Sequence, residues 1–305
     1  MRPQFLWNLG QRSLSLGQRA LVMGIVNVTP DSFSDGGLYL DASHAVEHAS
    51  RLLDEGADIL DIGGESTRPG AKAEVVSAQQ ELDRVLPVLQ GLKLAQPDVI
   101  ISVDTYKATV ARVCVEAGAE IVNDVSGGLW DKAMLPTLAG LRCGVILMHM
   151  RGRPEEWRAL PPIGDAVRVV KQGLQERSAA AARVKIETAR IVLDPGFGFG
   201  KSFDENYPLL AHFDEFHELG FPLLGGVSRK SFLGRTLGRA PVSTQPQGSG
   251  DTRVAAELAP LNERLYGTLA AETALVLKGA HIIRTHDVRA CVDAAKIADA
   301  ILQNS

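Results

Sequence analysis

The chain has 305 residues, of which 45% are hydrophobic and 22% are charged, and its formal net charge is −4. The length suits one barrel domain of about 250 residues with insertions, and this composition excludes global disorder. A mildly acidic balance argues against nucleic-acid or anionic-membrane binding through bulk electrostatics. Residues 1–10 lack the apolar core of a signal peptide, and no apolar stretch approaches a membrane span. We therefore expect a cytoplasmic protein with no nucleic-acid or membrane partner.

In chain order, residues 1–20 carry a turn-prone pattern that predicts a short hairpin-like extension closing the floor of the domain that follows. Eight apolar runs then alternate with helix-length segments, and each run ends on polar residues. The runs are GIVNVTPDS, ILDIGGEST, IISVDT, IVNDVSGG, VILMHMR, IVLDPGFGFGK, LLGGVSRKS and HIIRTH. The predicted helices span 41–56, 77–95, 106–118, 131–141, 163–183, 203–220, 254–279 and 287–302.

Continuous apolar runs indicate strands that are buried on both faces, as in parallel sheets covered by helices. The pattern therefore predicts an α/β fold, a (β/α)8 TIM barrel, as a single domain over residues 21–305. The C-terminal rim of such barrels carries the active site, so the polar strand ends become one ring of candidates. This ring comprises Asn27, Asp61, Asp104, Asn123, His149, Asp194, Lys230 and His286.

Two loops after the first two strands differ from ordinary turns in their content. NVTPDSFSDGG, starting at Asn27, places Phe33 among turn formers, and the amide at the strand end suits a hard cation or an anion's oxygen. ESTRPGA, starting at Glu65, holds Arg68, which is either an anion clamp or a solvated surface arginine.

Asp104, Asn123 and Asp194 each follow a short, mainly apolar run inside a strand, so their side chains are expected at or below the rim. Buried carboxylates need donors. Either they pair with Lys and Arg residues of the barrel, or they hold a ligand that presents several N–H groups, such as a pterin or guanine edge. Three such groups on separate strands favour the ligand.

PGFGFGKS at 195–202 fails the phosphate-loop pattern because Pro195 stands where the first glycine is required. A turn close to a ligand remains the expectation, with Phe197 and Phe199 as aromatic walls. Cationic residues at 228–230 and 284–286 follow the last two strands, where this fold often binds phosphate, although helix-end charges are the alternative. His149 is interpreted either as a ligand or as a structural residue.

Residues 235–251 mix Gly, Pro, Ser and Gln without periodicity, and such long connections are either lids or disordered insertions. We favour a flexible insertion because its apolar residues are isolated. The three cysteines form no CxxC pair and are expected to be buried thiols in a reducing compartment.

Taken together, NVTPDSFSDGG, ESTRPGA, SVDTYK, IVNDVSGG, LDPGFGFGK, SRKSFLG and GAHIIRTHDV resemble the dihydropteroate synthase family over nearly the whole barrel. The resemblance implies a transferase of folate biosynthesis and a sulfonamide target. Its reaction condenses 7,8-dihydropterin-6-ylmethyl diphosphate with p-aminobenzoate to 7,8-dihydropteroate and diphosphate, by a dissociative, SN1-like mechanism. The resemblance also implies Mg2+ as cofactor, with Asn27 as its protein ligand, and a homodimer formed through the seventh and eighth barrel helices.

The resemblance further assigns residues to each part of the site. For pterin these are Asp104, Asn123, Met148, Asp194, Phe199, Gly226, Lys230 and Arg284. For p-aminobenzoate they are Phe33, Thr67, Arg68, Pro69, Phe199 and Ser231. For diphosphate they are Asn27, Thr67, Arg68, Arg284 and His286. The catalytic group comprises Asn27, Asp35, Arg68, Lys230, Arg284 and His286, with a hypothetical Asp35–Arg68 salt bridge between the two loops.

Three other interpretations compete with the synthase. A pterin-binding methyltransferase barrel would share the pterin residues but needs no diphosphate clamp, so Arg68, Arg284 and His286 disfavour it. A silent pterin-binding protein would be expected to lose one of the two loops, and a phosphate-loop nucleotide enzyme is disfavoured by Pro195. Diphosphate release in the presence of Mg2+ would distinguish the synthase from the methyltransferase.

Overall fold

The computed structural model describes residues 2–29, 38–65, 76–238 and 258–304. The strands in these ranges are β1 Phe5–Asn8, β2 Ser13–Leu16, β3 Leu21–Asn27, β4 Ile59–Gly63, β5 Ile101–Asp104, β6 Ile121–Asp124, β7 Gly144–Met148, β8 Ile191–Asp194, β9 Leu224–Gly225 and β10 Ile282–Thr285. The helices are α1 Leu38–Asp54, α2 Ala78–Ala95, α3 Ala108–Glu116, α4 Met134–Gly140, α5 Ala166–Arg183, α6 Asn206–Ala211, α7 Ser231–Leu237, α8 Leu265–Leu277 and α9 Val288–Gln303.

Strands β3 to β10 form one parallel sheet in the order β8-β7-β6-β5-β4-β3-β10-β9. The two outer strands approach each other, because the Leu193 backbone N–H donates to the Pro222 carbonyl at 3.0 Å and Leu193 bridges to Leu223. The sheet is therefore a nearly closed barrel with helices between its strands, which confirms the predicted TIM-barrel fold. All five residues of β4 and of β7 are buried, as expected for strands covered on both faces.

Strand register brings the polar strand ends to one rim. Asp104 pairs with Gly63 on one side and with Asn123 on the other. Two strands further on, Met148 pairs with Asp194. Parallel strands share their direction, so the carboxyl ends of all these strands face the same side of the barrel.

The N-terminal hairpin lies at the opposite end of the barrel. Strands β1 and β2 pair antiparallel, which confirms the predicted hairpin. Trp7, Leu9 and Leu16 are almost fully buried in one cluster with apolar residues from the barrel strands. The Trp7 indole N–H also donates to the Arg190 carbonyl at 2.9 Å, just before β8. The hairpin thus packs on the floor, away from the rim.

Both ends of the described chain meet at this floor. The Arg2 guanidinium pairs with Asp299 of α9 at 2.9 Å, and the other Asp299 oxygen accepts the Ala20 backbone N–H. His281, directly before β10, accepts the Leu223 N–H through Nδ1 at 3.0 Å and lies 2.9 Å from the Pro3 carbonyl through Nε2. Burial lowers the pKa of His281 to about 4, so the ring is neutral and Nε2 donates to Pro3.

Several element boundaries differ from the prediction. The predicted helix 203–220 is broken into α6 and a 3-10 helix over Phe213–Leu219, whose spacing buries Phe213 and Phe216 on one side. Of the predicted helix 254–279, residues 258–264 contain Pro260 and a 3-10 turn instead of α-helix, and α8 covers Leu265–Leu277. Helix α7 covers Ser231–Leu237 and so includes the first three residues of the insertion predicted near 235–251. Residues 239–251 lie outside the described ranges.

Within the described ranges, no helix is both long enough and apolar enough to cross a membrane. The three cysteines are buried free thiols.

Candidate active site

Arg284 lies at the centre of the rim site. This residue lies near the C-terminal end of β10. Its guanidinium donates from Nε to Asp61 Oδ2 at 2.6 Å and from Nη2 to Asp104 Oδ2 at 2.7 Å. Burial alone would lower the pKa of Arg284, but the two carboxylates raise it, so the guanidinium stays charged. A permanent cation held by two carboxylates is pre-oriented for a ligand.

Asp61 connects Arg284 with Asn123. Its side chain is fully buried, and the oxygen that accepts from Arg284 also accepts the Asn123 amide at 3.0 Å. The sequence placed Asp61 in the ring of rim residues but assigned it no role in the site. The signal that would have identified it is the same as for Asp104, a carboxylate ending an apolar run.

Asp104 sits above Asp61 on the next strand. Burial raises its pKa to about 7, although the Arg284 charge acts in the opposite direction. The neighbouring Asp61 charge raises it further. Two carboxyl groups beside one guanidinium leave acceptor oxygens free for a ligand in this part of the site, which suits a ligand edge rich in N–H donors.

Asp194 and Lys230 form the opposite side of the site. Asp194 is buried at the end of β8, and its Oδ1 accepts the Gly196 backbone N–H at 2.7 Å. Burial raises the pKa of Asp194, while Lys230 counteracts this. Burial lowers the pKa of Lys230 to about 8, against the effect of Asp194. The Lys230 ammonium donates to the Phe197 carbonyl and lies 4.4 Å from the Phe199 ring centroid.

The two phenylalanines of the PGFGFGKS segment have different roles. Phe199 is partly exposed, and its ring lies beside Lys230. Phe197 is fully buried and stacks between Phe213 and Phe232, with centroids 6.3 and 6.4 Å away. The expectation that Phe197 forms a wall was therefore wrong, because its ring fills the core behind the loop.

Lys201 of the same segment faces protein carbonyls. Its ammonium donates to Gly196 at 2.7 Å, His149 at 3.1 Å and Phe199 at 3.2 Å. The lysine of this near-miss phosphate loop thus fixes the loop after β8. His149 is buried with its ring against Gly173 of α5, where a Cβ would come within 2.4 Å of His149 Cδ2. This contact favours the structural interpretation of His149.

The loops after β9 and β10 are tied together at the predicted phosphate corner. Ser228 Oγ lies 3.0 Å from His286 Nδ1 and accepts the His286 backbone N–H at 3.2 Å. Arg229 pairs with Asp287 through two bonds of 3.0 and 2.5 Å. Lys230 and His286 are therefore carried by loops with a fixed mutual position.

The remaining predicted residues fall into two groups. Asn27 is partly exposed at the end of β3, Met148 is buried at the end of β7, Gly226 follows β9 beside Arg284, and Ser231 begins α7. Phe33, Asp35, Thr67, Arg68 and Pro69 lie outside the described residues. Glu65, the last described residue before that second segment, pairs with the Lys107 ammonium.

Comparisons with known proteins show the family of this chain. Residues 23–286 match the family described as pterin binding enzyme. The chain belongs to this family. It is 42% identical over 281 residues to the dihydropteroate synthase of Escherichia coli, covering 92% of this chain and 91% of that protein.

Solved structures of similar proteins give the same result. The dihydropteroate synthase of Xanthomonas albilineans with 4-aminobenzoic acid has a TM-score of 0.83 and 43% identity, with 99% of both chains covered. That of Yersinia pestis with a sulfonamide drug complex has a TM-score of 0.81 and 41% identity, covering 95% of this chain and 97% of the other. The predicted family, fold and transferase function are thereby confirmed.

For a pterin binding enzyme, the residues that the sequence did not assign are informative. Asp61 orients two expected pterin residues. Trp157, in the loop after β7, contacts Phe199 with ring centroids 5.4 Å apart. The sequence signal for the contact between Trp157 and Phe199 was an aromatic residue among the charged residues of RGRPEEWR.

Proposed function

We propose that this chain condenses 7,8-dihydropterin-6-ylmethyl diphosphate with p-aminobenzoate, forming 7,8-dihydropteroate and diphosphate. The observation that carries the proposal is the buried arrangement around Arg284. Its guanidinium contacts Asp61 and Asp104, and the Asp194–Lys230 side of the pocket lies opposite. This arrangement offers carboxylates to a pterin's N–H edge and an ammonium to its acceptor side.

In this proposal the pterin occupies the deep part of the pocket. Asp194 faces the 2-amino and N3–H edge, Asn123 and Asp104 bind further ring nitrogens, and Lys230 donates to the acceptor side. Met148, Phe199 and Gly226 would line the ring faces, with Arg284 packed against one of them. Support comes from burial, because Met148, Asn123 and Asp194 are each at most 6% exposed.

The diphosphate would lie at the rim, against Arg284, His286 and Asn27, with Thr67 and Arg68 from the second loop. Arg284 keeps its charge at all physiological pH values, so it stabilises the leaving anion without a proton transfer. His286 is held by Ser228, which fixes its ring at the same corner. Stabilising the leaving group is the main requirement of a dissociative reaction.

Mg2+ fits this site as a partner of the substrate. Among the described residues, no group of three or more His, Cys, Asp and Glu side chains is arranged to hold a metal ion. Magnesium commonly keeps several waters and binds through one or two protein oxygens and substrate phosphates. The Asn27 amide oxygen at the end of β3 provides such a ligand, and the bound ion would neutralise the leaving diphosphate.

The arylamine needs little help from a base. The amino group of p-aminobenzoate is neutral at pH 7, so it can attack the exocyclic carbon once diphosphate has left. Phe33, Thr67, Arg68, Pro69, Phe199 and Ser231 form the proposed binding site for this substrate. Asp35 and Arg68 would pair to bring the two loops together. A sulfonamide would occupy the same subsite.

The proposed assembly is a homodimer formed through the seventh and eighth barrel helices, which are α8 and α9. These helices carry exposed apolar side chains, with Tyr266 83%, Ile297 66% and Ile301 52% exposed. Sedimentation of the wild type and of Tyr266→Glu tests this: the wild type should be a dimer and the variant a monomer. A monomeric wild type would contradict it.

We further propose that residues 21–305 form one barrel domain, with residues 1–20 as its extension. We also propose that the protein acts in the cytoplasm, since buried free thiols suit a reducing compartment.

The reaction is tested by incubating purified protein with the pterin diphosphate and Mg2+, with and without p-aminobenzoate, while measuring diphosphate and dihydropteroate. Product that requires both substrates supports the proposal, and Asp194→Asn should remove most of it. Pterin binding without turnover would instead indicate a methyltransferase barrel or a silent binding protein.

A further inference from the structure

Trp157 stands at the outer edge of the pocket. It begins a 3-10 turn, Trp157–Ala159, in the connection between β7 and α5. Its indole meets the Phe199 ring edge to face, with centroids 5.4 Å apart and planes at 77°. The other neighbour of Phe199 is the Lys230 ammonium, 4.4 Å from the ring centroid. Trp157, Phe199 and Lys230 thus form one continuous row of contacts.

The loop that carries Trp157 is fixed to the loop that carries Phe199. Arg151 donates from Nη1 to the Gly200 carbonyl at 3.1 Å and from Nη2 to the Pro161 carbonyl at 2.8 Å. Lys201 reaches back to the His149 carbonyl at 3.1 Å. These bonds bracket Trp157 on both sides in the chain, so its indole is held against Phe199 by the backbone.

Close backbone packing makes this arrangement rigid. Gly200 has a φ of 66°, and a Cβ there would come within 2.4 Å of the Arg151 carbonyl oxygen. Within the Trp157 loop, the Arg153 backbone N–H donates to Glu156 Oε2 at 2.6 Å, and the indole N–H reaches the Gly152 carbonyl at 3.4 Å. Trp157 therefore has a defined position before any ligand arrives.

The row lies outside the deep part of the pocket. Asp194 and Met148 are 6% and 3% exposed, whereas Trp157 and Phe199 are both only partly buried. A pterin in the deep part would border Phe199, as proposed above, and the rest of this aromatic row would face whatever binds above the pterin. A flat aromatic ring next to Phe199 gains from ring-to-ring packing only if Phe199 keeps its orientation.

We propose that Trp157 is a positioning residue for the second substrate, an arylamine, by holding the Phe199 ring beneath the Lys230 ammonium. The identity of this substrate rests on the proposed function. Trp157 acts through Phe199, a ring that also borders the pterin in the proposed function. The polar groups that would bind the pterin, Asp104, Asn123 and Asp194, hydrogen-bond to residues other than Trp157, so the larger effect falls on the outer subsite. Trp157 thereby determines how well the pocket binds an aromatic acceptor.

The experiment compares Trp157→Ala and Trp157→Phe with the wild type in steady-state synthesis of dihydropteroate. For Trp157→Ala we expect KM for p-aminobenzoate to rise about fivefold to tenfold, because the edge-to-face support is lost. KM for the pterin diphosphate and kcat should change less than about twofold. Trp157→Phe keeps an aromatic ring at this place and should restore most of the affinity.

Trp130→Phe is the matched control. Trp130 also lies in a rim loop, but its ring packs on Tyr106 at 5.0 Å and on the Arg153 guanidinium at 5.1 Å instead of Phe199. Its KM for p-aminobenzoate should equal that of the wild type. An unchanged KM in Trp157→Ala would overturn the proposal. So would a general loss in which kcat and both KM values deteriorate together, which indicates a structural role only.

Failure of the proposed function would give a different result, since the wild type itself would form no dihydropteroate. Calorimetric titration of p-aminobenzoate in the presence of inorganic diphosphate then tests the positioning role without turnover. A Kd that is weakened by Trp157→Ala and recovered by Trp157→Phe supports the proposal. Equal Kd values, or no binding to the wild type, overturn it.

Discussion

Asp61 illustrates how a residue that need not touch a ligand orients those that do. One carboxylate oxygen accepts from both Arg284 and Asn123, and the other, Oδ1, is buried without a hydrogen-bond partner among the described residues. Burying an unpaired carboxylate costs folding free energy. Asp61 therefore needs the charge of Arg284 to stay buried, and in turn it orients the Arg284 guanidinium.

We expect Asp61→Asn to lower kcat/KM by roughly 30-fold to 100-fold, because Arg284 loses the charge that holds its Nε. Steady-state kinetics with the pterin diphosphate measures this. Asp58→Asn is the control, since Asp58 is paired with Arg19 at 2.5 Å near the floor end of β4. A comparable loss in both variants would argue against a role for Asp61 in orienting Arg284.

The protonation of Lys230 gives a second prediction at this scale. Burial lowers its pKa to about 8, so the ammonium is present below that pH and is lost above it. If the ammonium binds the pterin, kcat/KM should fall about tenfold per pH unit above pH 8. Lys230→Arg, which stays charged, should be less active but lack this alkaline decline. If Lys230→Arg shows the same loss of kcat/KM above pH 8, the loss is due to the titration of another group.

The positions of the polar residues could be read from the sequence, but their partners could not. Asp61 and Asp104 each end an apolar run, and that pattern alone places them at the rim. Arg284 pairs with both of them, and it is separated along the chain from Asp61 by 223 positions and from Asp104 by 180. Such pairs depend on strand order and side-chain direction, which no local pattern contains.

Among the elements, the loop after β9 is organised by Arg229. This residue has a φ of 56°, unusual for a side chain other than glycine. Its backbone N–H donates to Thr268 Oγ1 at 3.0 Å, its carbonyl accepts from Arg264 at 2.9 Å, and its guanidinium pairs with Asp287. The loop is thereby connected to α8 and to the start of α9.

A double-mutant cycle with Arg229→Ala and Asp287→Ala should give a coupling free energy of about 1 kcal/mol in denaturant unfolding, because the two-bond pair is partly shielded. The control is Arg51 in the last turn of α1 and Glu55 directly after the helix, whose 4.0 Å contact is more exposed. We expect about 0.3 kcal/mol for that pair. Equal coupling in both cycles would show that the Arg229 contact adds nothing specific.

Helix α7 shows why some elements escaped prediction. Its seven residues lie in a glycine-containing stretch without helical periodicity. The helix is stabilised by contacts with distant residues: Phe232 stacks on Phe197, and Tyr207 contacts both Phe232 and Thr236. Strands, by contrast, were predictable because each one carries its own apolar run.

Across the whole molecule, stability and chemistry occupy opposite ends of the barrel. The floor has an apolar cluster that includes Trp7, Leu9 and Leu16, beside the Arg2–Asp299 pair, while the rim holds the buried carboxylates around Arg284. The floor can therefore be altered without changing the geometry of the site.

Trp7→Ala should lower the free energy of unfolding by about 3–5 kcal/mol, because a large buried ring is removed from the floor. Its kcat per folded molecule should stay within about twofold of the wild type. Chemical denaturation and turnover of the same sample measure both. Leu6→Ala, 63% exposed on the same strand, should change stability by less than about 1 kcal/mol. A selective loss of kcat in Trp7→Ala would contradict this separation.

The contact between Arg2 and Asp299 has a practical consequence for handling the protein. Since the two ends of the described chain meet beneath the floor, a short peptide linker would suffice to join them. The chain can then be circularly permuted, with its new termini placed in a turn on the floor side of the barrel. Attachment to a surface through either end would likewise leave the rim facing the solution.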